Sequence, residues 1–242
     1  MPRSARVVIP GLAHHITQRG NRRQRTFFCD EDFELYKRFL AEEASRGGLG
    51  IAAYCLMDNH VHLNAVPERE DTLARVLGHV HRRYTTIINA REGWTGHLWQ
   101  GRPFSCPTDE RHTVAGCRYT EWNPCRAGLA VRPEDWPHSS ARAHLGLAGD
   151  AVLDACGVEL PGVDWQELLE RDAADADAMA LRRHVRTGRP LGNEHWVREL
   201  EARTGRVLRP GRRGPVPRAR GEVGAQPSLG VLVGVPETRG VV

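Results

Sequence analysis

The stretch most suggestive of chemistry is MDNHVHL, residues 57–63, in which His60 and His62 flank a valine. On a β-strand, residues two apart share a face, so both imidazoles can bind one metal ion. The chain has twelve histidines, and a second His-x-His occurs at His79 and His81. That pair falls on a predicted helix, where residues two apart point in different directions. The strand pair is therefore the candidate metal site, with two solvent-facing polar side chains as the alternative.

A second candidate is RYTEWNPCRAGL, residues 118–129, in which Asn123 follows Tyr119 by four positions. This spacing puts both side chains on one face of a helix. Because Pro124 disfavours helical geometry at the residue before it, we expect Asn123 in a frayed last turn with its amide oxygen directed outward as a ligand. A tyrosine on a short helix is commonly a packing residue, so the residues alone leave its role open.

Several well-known catalytic patterns do not occur in the sequence. There is no HExxH, and Asn64 interrupts the His-x-His-x-His of the histidine-triad nucleotide hydrolases. A GxxxxGK[ST] phosphate loop is absent, so an ATP-driven mechanism is not indicated. Neither GxSxG nor a clear Cys–His arrangement points to acyl transfer.

The elements that position these candidates predict an α+β domain with a mostly antiparallel sheet and helices against one face. LAHHITQR starts like a strand, and residues 49–57 and 60–67 form a hairpin turned by Asp58-Asn59. Apolar residues at helical spacing predict helices over residues 30–48, 71–89 and 113–123, the last closed by Pro124. Residues 93–108 look extended, and a small helix is predicted over 194–203.

Charge is distributed unevenly around a net value of +4. Residues 134–181 carry 11 acidic and two basic side chains, whereas residues 182–220 carry 12 basic and three acidic ones. A basic segment is typical of nucleic-acid-binding proteins, although a solvated tail has the same composition. We predict a domain over residues 1–133, an acidic linker and a basic, partly helical C-terminal extension over 134–214, and a disordered tail over 215–242.

Cysteine usage and hydropathy favour a cytoplasmic protein. The six cysteines form no CxxC pair, which argues against a cysteine-ligated zinc and fits free thiols in a reducing compartment. No stretch approaches the ~20 consecutive apolar residues of a membrane span. The opening MPRSARVVIPGLAHHI does not have the pattern of a secretory signal.

Several segments, taken in order, resemble the REP-associated tyrosine transposases, a branch of the one-tyrosine HUH (His-hydrophobic-His) single-strand DNA transposases. They are RGNRRQ, MDNHVHL, HRRYTTIIN, GHLWQGRPFS, RYTEWNPCRAGL and RTGRPLGNEHWVRELEARTGR. The resemblance covers about residues 3–214 of the chain. It implies a ferredoxin-like (RRM-like) sheet with His60 and His62 as metal ligands on a central strand. Tyr119 matches the nucleophile, Asn123 the residue that completes metal coordination, and Tyr84 a packing position.

The same resemblance implies the cofactor and the partner. The cofactor is a divalent metal ion, Mg²⁺ or Mn²⁺, and the partner is single-stranded or hairpin DNA with REP-like inverted repeats. Cleavage is a transesterification that leaves a 5′-phosphotyrosine and a free 3′-OH. We expect a monomer or homodimer that acts at the nucleoid in the cytoplasm.

Candidate DNA contacts are mainly arginines, which suit phosphate recognition, together with one aromatic ring for base stacking. They are Arg19, Asn21, Arg22, Arg23, Gln24, Arg82, Arg83, Trp99, Arg102, Arg118 and Arg126. The alternative for any single arginine is a solvated surface charge, and for Trp99 it is core packing.

Three functional interpretations follow from these observations. The first is a metal-dependent single-strand DNA endonuclease and strand transferase. The second is a domesticated relative that binds REP hairpins without cutting them. The third is a phosphodiesterase that releases its product to water, which would leave free 5′-phosphate ends instead of protein-linked DNA.

Overall fold

A computed structural model of the 242-residue chain describes residues 6–170, 172 and 175–210. Residues through Arg209 belong to one compact unit, and Pro210–Val242 form a second, of which only Pro210 is described. The tail predicted over residues 215–242 and the last four residues of the predicted extension lie outside the described residues.

The centre of the first unit is a four-stranded antiparallel sheet with the strand order β2-β3-β1-β4. Its strands are β1 (His14–Arg19), β2 (Leu49–Met57), β3 (His60–Pro67) and β4 (Phe104–Pro107). The predicted hairpin is confirmed, since Met57 pairs with His60 across the Asp58-Asn59 turn. Of the segment predicted to be extended over 93–108, only Phe104–Pro107 forms a strand.

The described helices follow the predicted periodicity closely in the first half of the chain. Their bounds are α1 (Asp30–Gly47), α2 (Thr72–Glu92), α3 (Glu110–Glu121), α4 (Asn123–Arg126), α5 (Ala141–His144), α6 (Ala151–Cys156), α7 (Trp165–Leu169), α8 (Asp175–Thr187) and α9 (Glu194–Thr204). Gly48 ends α1 in a left-handed conformation with φ 67°, which glycine adopts without steric cost. Among the described residues, no helix combines the length and apolar character that crossing a bilayer requires.

Helices cover both faces of the sheet, so the prediction of helices against one face is wrong. Alternate residues of a strand point to opposite faces. One face of β3 joins the main core with α1 and α2 through Val61, Leu63 and Ala65. The other face carries His60, His62 and Asn64, and α3 lies against it, since the Asn64 amide donates to the carbonyl of Gly116.

Residues after 133 pack onto this sheet, so no boundary between compact units falls there. The Trp136 indole donates a hydrogen bond of 2.9 Å to the carbonyl of Leu56 in β2. Val152 of α6 is buried in the main core. Leu181 of α8 packs against Tyr119 of α3. The sequence did not indicate these contacts, because they join short apolar groups to strands and helices far away in the chain.

Candidate active site

The histidine pair lies on the sheet face that α3 covers. His60 and His62 project from the same side of β3, and their ring centroids are 5.0 Å apart. A third imidazole, His15 of β1, lies 5.5 Å from His62 between centroids. Sequence reasoning did not identify His15. The alternation of β1 could have identified it, because His15 and Arg19 lie on the same face of that strand. Arg19 pairs with His60, so His15 shares the sheet face of the histidine pair.

Burial keeps the two candidate ligands neutral. It lowers the pKa of His60 to about 4, with a smaller contribution from Arg19. Burial also lowers the pKa of His62 well below its ordinary value, assisted by the neighbouring His60 and His15. Neutral imidazole is the form that binds a metal ion. His79 and His81 differ, since His79 faces Glu43 from solvent whereas His81 is buried against the Tyr36 hydroxyl.

The donor set fits a divalent ion. The Nδ1 atom of His62 is buried without a hydrogen-bond partner, whereas that of His60 bonds the Asn59 side chain at 2.6 Å. Within the described residues, no group of three His, Cys, Asp or Glu side chains is arranged to hold a metal. Two imidazoles therefore need a ligand of another type, and an amide oxygen such as that of Asn123 suits Mg²⁺ and Mn²⁺.

Tyr119 of α3 lies against the histidines. Its ring centroid is 5.7 Å from that of His62 and 5.6 Å from that of His15, and only 4% of its surface is exposed. Two arginines also contact this tyrosine. Arg182 of α8 donates from Nε to the Tyr119 hydroxyl at 3.1 Å. The Arg126 guanidinium lies 4.3 Å from the ring centroid.

Asn64 fixes the position of α3 over the sheet. Its amide donates to the Gly116 carbonyl at 3.1 Å and the Thr120 hydroxyl at 2.8 Å, and its oxygen accepts from His15 Nδ1 at 3.1 Å. Close approach requires a glycine at position 116, because a Cβ there would lie 2.8 Å from the Asn64 oxygen. The asparagine that breaks the His-x-His-x-His pattern is thus the residue that positions Tyr119.

Asn123 occupies a different structural position from the one predicted. It is the first residue of α4 rather than the frayed end of α3, and Pro124 fits the first turn of that short helix. Its Nδ2 donates to the Tyr119 carbonyl at 2.9 Å. This bond uses the amide nitrogen and leaves the oxygen, the atom that binds cations, for other partners. Asn123 is therefore tied directly to the backbone of Tyr119.

The loop after β1 brings arginines to the edge of the site. Arg22 and Arg23 have φ values of 54° and 62°, a left-handed conformation that is unfavourable for residues with side chains. Asn59 supports this conformation by donating to the Arg23 carbonyl at 3.2 Å. Burial lowers the pKa of Arg19, as does the nearby Arg23. Cationic groups thus converge beside the histidine hairpin.

Some of the remaining candidate DNA contacts have exposed side chains, whereas others lie close to acidic residues. Asn21 and Gln24 lie in the same loop and are partly exposed, and Arg82 and Arg102 are exposed. Arg83 pairs with Glu42 and Glu43 of α1, at 2.8 and 2.7 Å, and Arg118 lies 3.8 Å from Asp177.

The prediction that Trp99 stacks an unpaired base is not supported. Its side chain is 5% exposed and lies in the main core. Its ring centroid is 4.7 Å from that of His81 and 5.9 Å from that of Tyr36. A ring that stacks on a base must keep one of its faces open. The Trp99 ring is instead covered by neighbouring side chains. The core-packing alternative is the correct one.

Comparison with known proteins finds a family that matches part of the sequence and a solved structure that shares the fold. Residues 9–123 match the sequence profile of the family described as "Transposase IS200 like". The structure of a REP-associated tyrosine transposase bound to a REP hairpin shares the fold, with 21% identity and a TM-score of 0.50 over 66% of this chain and 98% of that one. No curated protein matches the chain significantly.

A crystal structure from Deinococcus radiodurans R1, assigned to the transposases, aligns with 22% identity over 43% of this chain and 84% of that one. Its TM-score of 0.34 does not establish a shared fold. The profile match covers the histidine hairpin, Tyr119 and Asn123. Over residues 9–123, just under half of its length, this chain is similar to the IS200-like transposase family.

Proposed function

We propose that this protein is a metal-dependent single-strand DNA endonuclease and strand transferase that acts at REP-like hairpins through a 5′-phosphotyrosine intermediate. The observation that carries the proposal is the contact between Tyr119 and the face that bears His60 and His62. Tyr119, the two imidazoles and the arginines that contact Tyr119 lie close together there, which supports their roles as nucleophile, metal ligands and phosphate contacts. The protein acts as a monomer or homodimer at the nucleoid.

The chemistry is a transesterification. The Tyr119 hydroxyl attacks the scissile phosphorus in line, so a P–O bond to the phenol oxygen forms while the P–O3′ bond breaks. The phenol proton leaves to solvent, and the departing 3′-oxygen takes up a proton to become a 3′-OH. A later attack on the same phosphorus by another 3′-OH reverses these bond changes and joins strands without ATP, because the phosphotyrosine conserves the phosphodiester bond.

His60, His62 and Asn123 would hold the divalent ion, Mg²⁺ or Mn²⁺. When bound, such an ion polarises the phosphoryl oxygens and neutralises developing charge. The chain's own residues do the rest. Arg182 and Arg126 hold Tyr119 in one position, and Arg19 supplies positive charge beside the histidines. The hydrogen bonds of Asn64 to α3 fix the distance between this helix and the sheet.

A non-catalytic hairpin-binding protein is the second candidate, and one observation favours it. Tyr119 is 4% exposed and its hydroxyl accepts a hydrogen bond from Arg182, so DNA must reach a covered nucleophile. Arg182 is itself an exposed side chain on the surface of α8.

A labelled-hairpin assay tests the proposal. Single-stranded DNA that carries a REP-like hairpin and a 3′ label is incubated with protein and Mg²⁺ or Mn²⁺. The labelled fragment should become covalently linked to protein, whereas a 5′ label should be released on a fragment that ends in a 3′-OH. EDTA should prevent both products. Protein-free 5′-phosphate ends would instead indicate hydrolysis by water.

Tyrosine variants provide the matched controls. Tyr119→Phe should form no adduct. Tyr84→Phe should retain it, because Tyr84 is an equally buried tyrosine whose hydroxyl donates to the Thr26 carbonyl. If Tyr119→Phe forms as much adduct as wild type, the assignment of the nucleophile is wrong. Retained hairpin binding without adduct under any metal would identify the protein as the non-catalytic binder.

A further inference from the structure

A groove lined by arginines extends from α2, which packs on the face of the sheet opposite the histidines, past β4 to α8. Its first part has a volume of about 980 Å³ and is lined by Arg6, Arg82, Arg102, Arg203 and Arg206, with Glu70 as the one acidic residue among its described lining. Its second part, about 620 Å³, adds Arg186 and Arg189 and has no acidic residue in its described lining. Arg6, Arg102 and Arg206 border both parts, which we name together the arginine groove.

Two of the hydrogen bonds that build the groove join an arginine to a backbone carbonyl. Arg6 donates to the Pro103 carbonyl at 2.8 Å, and Arg189 donates to the Leu208 carbonyl at 3.0 Å. These acceptors are neutral, so they orient the guanidinium groups without neutralising them. Burial lowers the pKa of Arg6, and the nearby Arg102 lowers it further. Like charges held together at a surface favour an anionic ligand.

The second part of the arginine groove lies one helical turn of α8 from a residue that contacts Tyr119. Arg182, which donates to the Tyr119 hydroxyl, precedes Arg186 of the groove by one helical turn of α8. Asn21, from the loop beside the histidine hairpin, also lines the second part. A polyanion whose phosphate lies at Tyr119 can therefore extend past Arg182 and Arg186 into the second part of the groove.

An aromatic ring lies on this path. Phe104, the first residue of the edge strand β4, lines the second part and is 46% exposed. A large apolar side chain exposed among arginines provides a stacking surface for an unpaired base. Base pairs inside a duplex do not offer their faces to such a ring, so the ring favours a single strand over a hairpin stem.

We propose that the arginine groove binds the single-stranded DNA that flanks the cleavage point, with arginines on its phosphates and Phe104 stacked on a base. This inference rests on the proposed function for the identity of the polyanion. A groove around α1 has a mixed lining, in which Asp30, Glu31, Asp32, Glu34, Glu42 and Asp150 accompany Lys37, Arg38, Arg91 and Arg142. Acidic residues outnumber basic ones in that groove, whereas basic residues predominate in the arginine groove.

Binding measurements in the Tyr119→Phe protein test the groove separately from catalysis. The groove variant is Arg82→Ala/Arg186→Ala/Arg203→Ala, in which all three residues are exposed. Within the described residues, no hydrogen bond or ion pair engages their guanidinium groups, so folding should persist. The control is Arg38→Ala/Arg46→Ala/Arg142→Ala, which removes the same charge from exposed positions outside the groove.

The probe is a fluorescein-labelled oligothymidine of about ten nucleotides, within the range that such grooves bind. The groove variant should bind it about tenfold more weakly than the control, and the slope of log K against log salt should fall by about two. Equal affinity of the two variants would overturn the inference. Phe104→Ala should weaken binding about tenfold, while Phe104→Trp preserves it; an unchanged affinity of Phe104→Ala would remove the stacking role.

A comparison of hairpins with and without single-stranded flanks tests whether the groove binds the duplex stem instead of the single strand. The groove variant should lose affinity for a flanked hairpin and bind a blunt hairpin as the control does. An equal loss for both hairpins would show that the groove holds the duplex stem, which contradicts the single-strand assignment. Failure of the proposed function has a different signature, since it would appear as absent adduct in the wild-type protein whatever the groove variants bind.

Discussion

Asn64→Ala probes the link between the sheet and the candidate nucleophile. The side chain is buried at the centre of the unit and makes three hydrogen bonds, to His15, Gly116 and Thr120, between 2.8 and 3.1 Å. Alanine removes all three and leaves each partner buried without its bond. At about 1 kcal/mol for each lost bond, the free energy of unfolding should fall by about 3 kcal/mol. For a unit of this size, that loss lowers the melting temperature by about 10 °C.

Urea unfolding monitored by circular dichroism measures this loss. Asn89→Ala is the control, because Asn89 makes one exposed hydrogen bond, to the Gly96 carbonyl at 3.0 Å. It should change the free energy of unfolding by no more than about 0.5 kcal/mol. A loss below about 1 kcal/mol in Asn64→Ala would refute the assigned role, because a buried hydrogen-bond network of this kind cannot be removed so cheaply.

A second readout concerns Tyr119 itself. In Asn64→Ala, α3 is no longer tied to β3 at Gly116 and Thr120, so the tyrosine should lose its position against His62. Below the melting temperature, the single-turnover rate of adduct formation should fall by about tenfold, which corresponds to about 1.4 kcal/mol of lost positioning. A folded variant with the wild-type rate would contradict the inferred positioning role.

Three further predictions follow from individual contacts. Burial lowers the pKa of His14 from its ordinary value of 6.5 to about 4, so the unfolded chain binds this proton first as pH falls; stability should decrease from about pH 6.5 towards pH 4, by up to about 3 kcal/mol from this residue. His14→Gln should flatten that dependence in urea unfolding, and an unchanged slope would refute it. Arg182→Ala should slow single-turnover adduct formation about tenfold at saturating DNA, through loss of its 3.1 Å bond to the Tyr119 hydroxyl. Trp99→Phe should lower the free energy of unfolding by about 1–3 kcal/mol and leave oligothymidine affinity unchanged, since the ring lies in the core; weakened binding by a fully folded variant would restore the stacking role.

Local sequence patterns determined the central hairpin and the first long helices. The period-two alternation of HVHLNAVP places His60 and His62 on one face, and this follows from strand geometry alone. The same reasoning separates His79 from His81, and the structure confirms it, with one imidazole in solvent and the other in the core. Such features depend on neighbours within a few residues, which the sequence displays directly.

Contacts between distant segments were decided by the tertiary structure. Arg182 reaches the Tyr119 hydroxyl across 63 residues of sequence, and Asn64 joins α3 across 52 and 56 residues. Trp99 has the composition of a stacking residue, but the packing of α1 and α2 encloses it. Asn123 was expected at a helix end and begins a new helix instead. Spacing along the chain fixes the face a residue occupies, whereas its partner depends on how helices and sheet pack.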